Sequence, residues 1–424
     1  MTDTAPLARL SGSLDPAWLA AQRWYAGKGR TLERTELAAG IEVGRESGLL
    51  LVDARFDDGE TERYAVPIGE GIWPALLARL ARGAGDGFEL DWRDGELPSR
   101  GERELGRDQS NTTYALDERL ALKCYRRLWP GPHPEVELVG YLSGRSPLVP
   151  PLRGALSYRD AEGTVWPVAL VQDLVPDAED GWAWGQARLA DALARRDVTV
   201  RETGWARPLG RQLAELQLAL CGLDSRVATA DDAGSVRTAA TAQLEDVLAL
   251  VDPGTAASLE RLAPRIREEL DRLCRLEGRP LARVHGDLHV GQVLDSPAGF
   301  HVIDFEGEPT RPPAERRALG SPLRDVASML RSFEHLARWH LRDDSDPHRL
   351  ALALEWVEAV RSALLAGYSD GADGSELIVD PVLVRAFEIE KETYELVYAA
   401  RFLPEWTPVA LASMHALLAF SEPS

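Results

Sequence analysis

The side chains best suited to chemistry stand close together between positions 281 and 306. The stretch Leu281-Ala-Arg-Val-His285-Gly286-Asp287-Leu288-His289-Val290-Gly291-Gln292-Val293-Leu294 is followed by a turn at Asp295–Gly299 and then by Phe300-His-Val-Ile-Asp304-Phe305-Glu306. A polar loop set between apolar strands, closed by a hydrophobic strand that stops at a carboxylate, is where a scaffold presents reactive groups. Asp287, the amide of Gln292 five residues on, and Asp304 at a strand end are the parts that kinase-type phosphoryl transfer needs. One carboxylate accepts the proton of the acceptor hydroxyl, while the amide and the other carboxylate hold magnesium against the phosphates of ATP.

The rest of the chain must position these groups. Its 424 residues predict two to four folded units at ~100–200 residues each. With 45% apolar and 27% charged residues it has ordinary globular composition. Lys and Arg number 48 against 68 Asp and Glu, a formal charge of −20, which repels polyanions and argues against nucleic-acid or anionic-membrane partners. No apolar run approaches the ~18 residues of a membrane span. The opening MTDTAPLARL lacks a secretory pattern, and Cys124, Cys221 and Cys274 form neither a disulfide framework nor a CxxC site, so a cytoplasmic location is expected.

Periodicity divides the chain into three parts. Residues 1–95 alternate β-rich runs (Gly48–Ala54, Glu62–Pro67) with turns before a helical stretch at Ile72–Arg82. Gly83–Gly101 reads as a linker or exposed loop. Residues 96–177 form a small mixed lobe with paired strands at Tyr114–Leu116 and Leu120–Tyr125, a helix from Pro134 and a buried strand at Val165–Val175. Residues 178–424 are mainly helical: Leu209, Leu213, Leu216 and Leu220 recur at helical spacing, as do Leu259, Leu262, Ile266 and Leu270. The fold class expected is α+β.

HGDLHVGQVL followed by HVIDFEGEP resembles the catalytic segment of aminoglycoside-phosphotransferase-like kinases, most closely the maltokinase branch. The resemblance implies a protein-kinase-like bilobal fold with an N-terminal β-rich cap. It makes Asp287 the catalytic base and Gln292 and Asp304 the magnesium ligands. Ala21–Arg30 looks like the opening element of the maltokinase cap, and Gln109, Ser110, Asn111 and Thr112 look like the loop that covers the nucleotide phosphates. Lys123 matches the phosphate-binding lysine and Glu137 the helix glutamate that holds it. Gln172, Asp173 and Val175 fall where the family's hinge grips adenine through its backbone. The tail from Glu388 to Trp406 resembles the helix that helps form the sugar pocket.

Other readings of the same residues stay open. His285, Asp287 and His289 alternate onto one side of an extended segment and are good zinc ligands, but Gln292, Asp304, Lys123 and Glu137 would have no work in a zinc hydrolase. The two histidines are expected to brace the loop. A pseudokinase is disfavoured because every expected catalytic part is present. For the acceptor, the maltokinase tail pattern has polar residues where this chain has Ala399, Phe402 and Leu403, which argues against maltose. The negative charge and the carboxylates Asp287, Glu306, Glu308 and Glu390 favour a cationic sugar. Tyr394 and Trp406 are candidate walls, and Trp182 and Trp184 also fall near the expected cleft. Glucosamine, phosphorylated on its primary hydroxyl, is the first expectation. Maltose to maltose 1-phosphate and then an aminoglycoside-type acceptor are the alternatives. The sequence leaves the oligomeric state open.

Overall fold

The computed structural model describes residues 14–83, 85–99, 101–106, 111–199, 203–309 and 311–419. They form two compact units: one takes the chain up to Gly144 together with Val149–Pro176, the other Arg145–Leu148 together with the chain from Asp177 onward. Among the described residues no helix is long and apolar enough to cross a membrane.

The first unit is built on two sheets. Strands β1 (Leu32–Gly44), β2 (Ser47–Phe56) and β3 (Thr61–Ile68) form an antiparallel meander, which the short β8 (Arg127–Leu128) extends. The Leu49–Val52 run in β2 is wholly buried, and Leu50, Val52, Phe56 and Tyr64 pack with Leu19 of helix α1 (Pro16–Ala20) and with Tyr25. Asp15 caps α1 by accepting from Trp18 N–H at 2.7 Å. The Ala21–Arg30 segment therefore closes one face of the cap sheet, with Trp24 and Tyr25 both beside Tyr64. Helix α2 (Ile72–Ala81) buries Trp73, Leu76 and Leu77.

The second sheet has the order β4 (Phe88–Trp92), β9 (Leu152–Arg159), β10 (Val165–Asp173), β7 (Leu120–Tyr125), β6 (Asn111–Leu116) and β5 (Glu102–Gly106). The strand β4 lies inside Gly83–Gly101, which the composition predicts to be a linker. Its alternation rests on Phe88, Leu90 and Trp92 with Glu89 and Asp91 between them, and pairing with β9 makes the strand. The β6–β7 hairpin turns through Asp117 and Glu118, both left-handed at φ 53° and 49°, a geometry that suits the twist of two paired strands. Helix α3 (Pro134–Leu142) follows. Arg126 ties the two sheets, donating from Nε to Thr112 Oγ1 (2.9 Å) and from Nη1 to Ala65 O (3.3 Å).

The second unit is mainly helical: α4 (Gly181–Arg195), α5 (Ala206–Cys221), α6 (Ala230–Leu250), α7 (Pro253–Asp271), α8 (Pro313–Arg316), α9 (Pro322–His340), α10 (Pro347–Gly371), α11 (Pro381–Phe402) and α12 (Thr407–Ala419). Two small ribbons interrupt it, β11 (Ser225–Val227) with β12 (Pro280–Ala282), and β13 (Val293–Ser296) with β14 (Gly299–Val302). Helix α11 starts firmly: Asp380 accepts from Val382 and Leu383 N–H at 3.1 and 3.3 Å and pairs with Arg275 and Arg279. Helices α9 and α11 pack together and are buried on nearly every side, although both are rich in charge. Arg331 of α9 meets Glu392 of α11 at 2.9 Å, His335 meets the same carboxylate at 3.0 Å, and Arg361 of α10 pairs with Glu388. Burying a charge is costly without such a partner, so these pairs fix which faces of the helices can meet.

Candidate active site

The loop that carries Asp287 is held by its own backbone. Asp325, in the first turn of α9 and 2% exposed, accepts from His285 N–H (2.9 Å) and Gly286 N–H (3.0 Å). Burial raises the Asp325 pKa, with His285 and these two amides acting against the rise. Gly286 adopts φ +85°, in the region that suits glycine, where the chain bends toward Asp287. His285 is buried; its Nε2 donates to Ile303 O (2.9 Å) and its Nδ1 accepts from Asp287 N–H (3.4 Å), which fixes one tautomer. His289 Nδ1 accepts from Gly291 N–H at 3.1 Å, and burial lowers its pKa. Both histidines brace the loop, as expected from their setting. Val290 N–H donates to Ser332 Oγ at 2.9 Å, which joins the loop a second time to α9.

Gln292 ends a 3₁₀ turn and Asp304 follows β14, and the two meet with the amide nitrogen 3.1 Å from Asp304 Oδ2. Gln292 O also accepts from Ile303 N–H at 3.0 Å. Asp304 is left-handed at φ +67°, a strained conformation for an L side chain of the sort that collects at functional sites. Half a turn of the carboxamide presents its oxygen instead of its nitrogen. The pair then offers an amide oxygen and a carboxylate, hard donors of the kind magnesium takes.

Beside Asp287 lies a cavity of about 260 Å³. Trp182, Trp406, Tyr394 and Tyr398 supply its aromatic surface, and Asp287 and Glu395 are its carboxylates. Trp406 packs against Trp182 (5.7 Å between centroids) and Trp339 (4.9 Å). Trp184 is instead a core residue, 2% exposed, with Nε1 donating to Val293 O at 2.8 Å. Lys391, 4% exposed, reaches Asp287 (3.0 Å), Glu395 (3.1 Å) and Glu308 (3.3 Å).

Glu308 and Glu390 do not line the cavity beside Asp287, contrary to the sequence expectation, but a second cavity of about 300 Å³. Glu308 pairs with Arg311 (2.6 Å), Arg324 (2.8 Å) and Lys391, and Glu390 pairs with Arg324 (2.9 Å). Burial by itself would raise the Glu308 pKa, but Arg324, Lys391 and Arg311 together bring it down to about 2. Both side chains are buried and paired with internal cations. Glu306 lies 3.6 Å from Arg316 and does not line the cavity. The carboxylate that does line it is Glu395, whose signal in the sequence was its place four residues after Lys391 and one after Tyr394. Asp325 and Arg324 were equally hidden, because nothing local marks a helix acid or base as buried.

In the first unit Lys123 meets a glutamate of α3, Glu135, two residues before the Glu137 expected from the resemblance. The ammonium lies 3.2 Å from Glu135, which is 1% exposed and also accepts from Tyr125 OH at 2.9 Å. The Thr112 hydroxyl is buried and accepts from Arg126. Asn111 opens β6 opposite Tyr125, and Gln109 and Ser110 lie outside the described residues. In the hinge, Gln172 Nε2 donates to Pro150 O (2.8 Å), Asp173 pairs with Arg153 (2.6 Å) and Asp173 N–H donates to Pro151 O (3.0 Å). Those groups hold the hinge to β9; Val175 follows just beyond β10.

A carboxylate on a clamped loop and an amide–carboxylate pair in the second unit, and a strand lysine beside a helix glutamate in the first, are the parts expected of a kinase-like phosphotransferase. The model of the phosphotransferase enzyme family matches residues 101–374, and that of the maltokinase N-terminal cap domain matches residues 18–85. The chain belongs to the phosphotransferase enzyme family. Both matches agree with the resemblance carried by the HGDLHVGQVL and Ala21–Arg30 segments. Within the family it is similar to glucosamine kinases. It is 32% identical over 403 residues to the glucosamine kinase of Mycolicibacterium smegmatis, covering 91% of this chain and 98% of that one. It is 30% identical over 408 residues to the glucosamine kinase of Streptacidiphilus jiangxiensis, covering 88% and 92%. A solved glucosamine kinase in complex with glucosamine, ADP and inorganic phosphate aligns with a TM-score of 0.75 at 27% identity, over 98% of this chain and 100% of that one.

Proposed function

We propose that the protein is an ATP-dependent glucosamine kinase that phosphorylates the primary hydroxyl of the sugar. The observation that carries this reading is the match to glucosamine kinases along nine tenths of the chain. The cavity beside Asp287 supports it. Its volume of about 260 Å³ lies below the ~300–1,000 Å³ of pockets that bury drug-sized ligands and suits one sugar ring better than two. The connected web of Asp287, Glu308, Glu390 and Glu395 with Arg311, Arg324 and Lys391 sets four carboxylates against three cations. One formal negative charge remains, which favours an ammonium-bearing acceptor.

In this reading Trp182, Trp406 and Tyr394 receive the apolar face of the ring. Glu395 faces the ammonium group. Asp287, with one oxygen on Lys391, uses the other to take the hydroxyl proton as the sugar oxygen bonds to the γ-phosphorus of ATP and the bond to the bridging oxygen of ADP breaks. Lys123, held by Glu135, contacts the nucleotide phosphates, and the backbone near Val175 receives the base. Gln292 and Asp304 hold magnesium, which when bound neutralises phosphate charge. We assign the reaction to the cytoplasm, in keeping with three cysteines that form no disulfide.

The maltokinase-type cap is the observation that favours maltose as acceptor. Against it stand the apolar Ala399 and Leu403 and the modest cavity, which Leu403 lines. Purified protein is offered glucosamine, maltose, glucose or an aminoglycoside with ATP and magnesium, and ADP release is measured. Turnover with glucosamine well above the others is expected; turnover of maltose alone overturns the assignment.

A further inference from the structure

Lys391 has no part in any of the roles above except as a neighbour, yet its position is unusual. It sits mid-way along α11 with a side chain 4% exposed, and its ammonium has three carboxylates within 3.3 Å: Asp287 from the catalytic loop, Glu308 from the segment after Asp304, and Glu395 one turn on. An ammonium has three N–H donors, so each carboxylate can take one. The Tyr394 ring closes the fourth side, 4.4 Å from Nζ. His289, Tyr398, His285 beside Asp287 and, through Glu308, Arg311 and Arg324 also face the cluster. Among the described residues Lys391 is the cation that pairs with both Asp287 and Glu395.

We propose that Lys391 is a positioning residue for phosphoryl transfer, which keeps Asp287 ionised and turned toward the acceptor while Glu395 stays ionised beside it. The proposal rests on the reading of Asp287 as the group that accepts the hydroxyl proton. Carboxylates gathered in one buried site without a cation share a proton, because a like charge nearby disfavours ionisation. A protonated Asp287 cannot receive the hydroxyl proton. Two neighbouring carboxylates with separate tasks, one for the proton and one for the ammonium group, therefore require a fixed positive charge between them. The Lys391 pKa is raised well above its usual value: burial alone would lower it, and Asp287, Glu395 and Glu308 outweigh burial. The lysine accordingly remains charged throughout the working range.

The test is kcat at saturating glucosamine and MgATP from pH 4.5 to 9 for the full chain, with Lys391→Met, Lys391→Arg, Glu395→Gln and Asp287→Asn in parallel. At saturation kcat reports groups in the bound complex, so titration of the free sugar amine drops out. Lys391→Met is expected to move the acid limb up by ~1–3 units, the usual effect of an adjacent opposite charge. Below the shifted limb its rate falls by about tenfold per unit, and the deficit narrows toward pH 9. Lys391→Arg is expected to return the limb while recovering only part of kcat, since a planar guanidinium cannot reproduce three diverging N–H bonds. An unchanged limb in Lys391→Met, or a loss equal at every pH that arginine does not relieve, overturns the proposal. If the methionine variant does not fold, Glu395→Gln decides: removing the competing carboxylate must lower the limb, and no downward shift counts against Lys391. Wild-type turnover in Asp287→Asn would instead overturn the role of Asp287 itself, a distinct outcome.

Discussion

Replacing Arg324 with methionine removes the guanidinium that joins Glu308 to Glu390 beneath the catalytic loop. The two carboxylates are not affected alike. Glu308 keeps Arg311 at 2.6 Å and Lys391 at 3.3 Å, whereas Glu390, 4% exposed, loses its 2.9 Å pair and keeps Arg311 at 3.7 Å. Stranding one partner of a buried pair costs ~3–5 kcal/mol, and the surviving contacts point to the lower end, about 3 kcal/mol. Urea unfolding at pH 7, followed through buried Trp184 and Trp356, measures the loss. Adding Glu390→Gln should return at least ~1 kcal/mol, since residues in one ion-pair network couple by 0.5–3 kcal/mol. A single variant within about 1 kcal/mol of wild type, or a double variant no better than the single, would refute the account of α11 as a helix held by buried charge.

Two further outcomes follow from the loop. Asp304→Ala should raise the KM for MgATP by roughly tenfold or more, about 1.4 kcal/mol, with the sugar KM little changed; unchanged nucleotide affinity would sink its place beside Gln292. Gly181→Ala puts a methyl group against the Val290 carbonyl, in the turn that carries Gln292. Overpacking of this kind costs ~1–3 kcal/mol, and the variant should both melt earlier and lose kcat. Wild-type melting and rate together would show that α4 does not press on the loop.

The catalytic segment was legible in the sequence because its chemistry is local: Asp287, Gln292 and Asp304 lie within one loop and hairpin, and apolar strands flank them. The long amphipathic helices and the β6–β7 hairpin were legible for the same reason. What escaped depends on which distant elements meet. Glu135 and Glu137 both stand in the first turn of α3, and spacing alone does not show that Glu135 reaches Lys123. Glu390 was expected against the sugar because its carboxylate suits a cationic acceptor, but Arg324, 66 residues earlier in the chain, pairs with it. Lys391 and Glu395 look like an ordinary exposed i, i+4 pair until Asp287, 104 residues away, is found on the same ammonium. Strand β4 was missed because its apolar positions alternate with acids in a Gly-rich stretch.

The cavity beside Asp287 draws Lys391, Tyr394, Glu395 and Tyr398 from a single ridge of α11, whereas Gln292 and Asp304 belong to the loop and hairpin that also supply Asp287 and His289. On the proposed reading one helix thus offers four groups to the sugar, and a few exchanges along that ridge would retune which alcohol is accepted while leaving Gln292 and Asp304 in place.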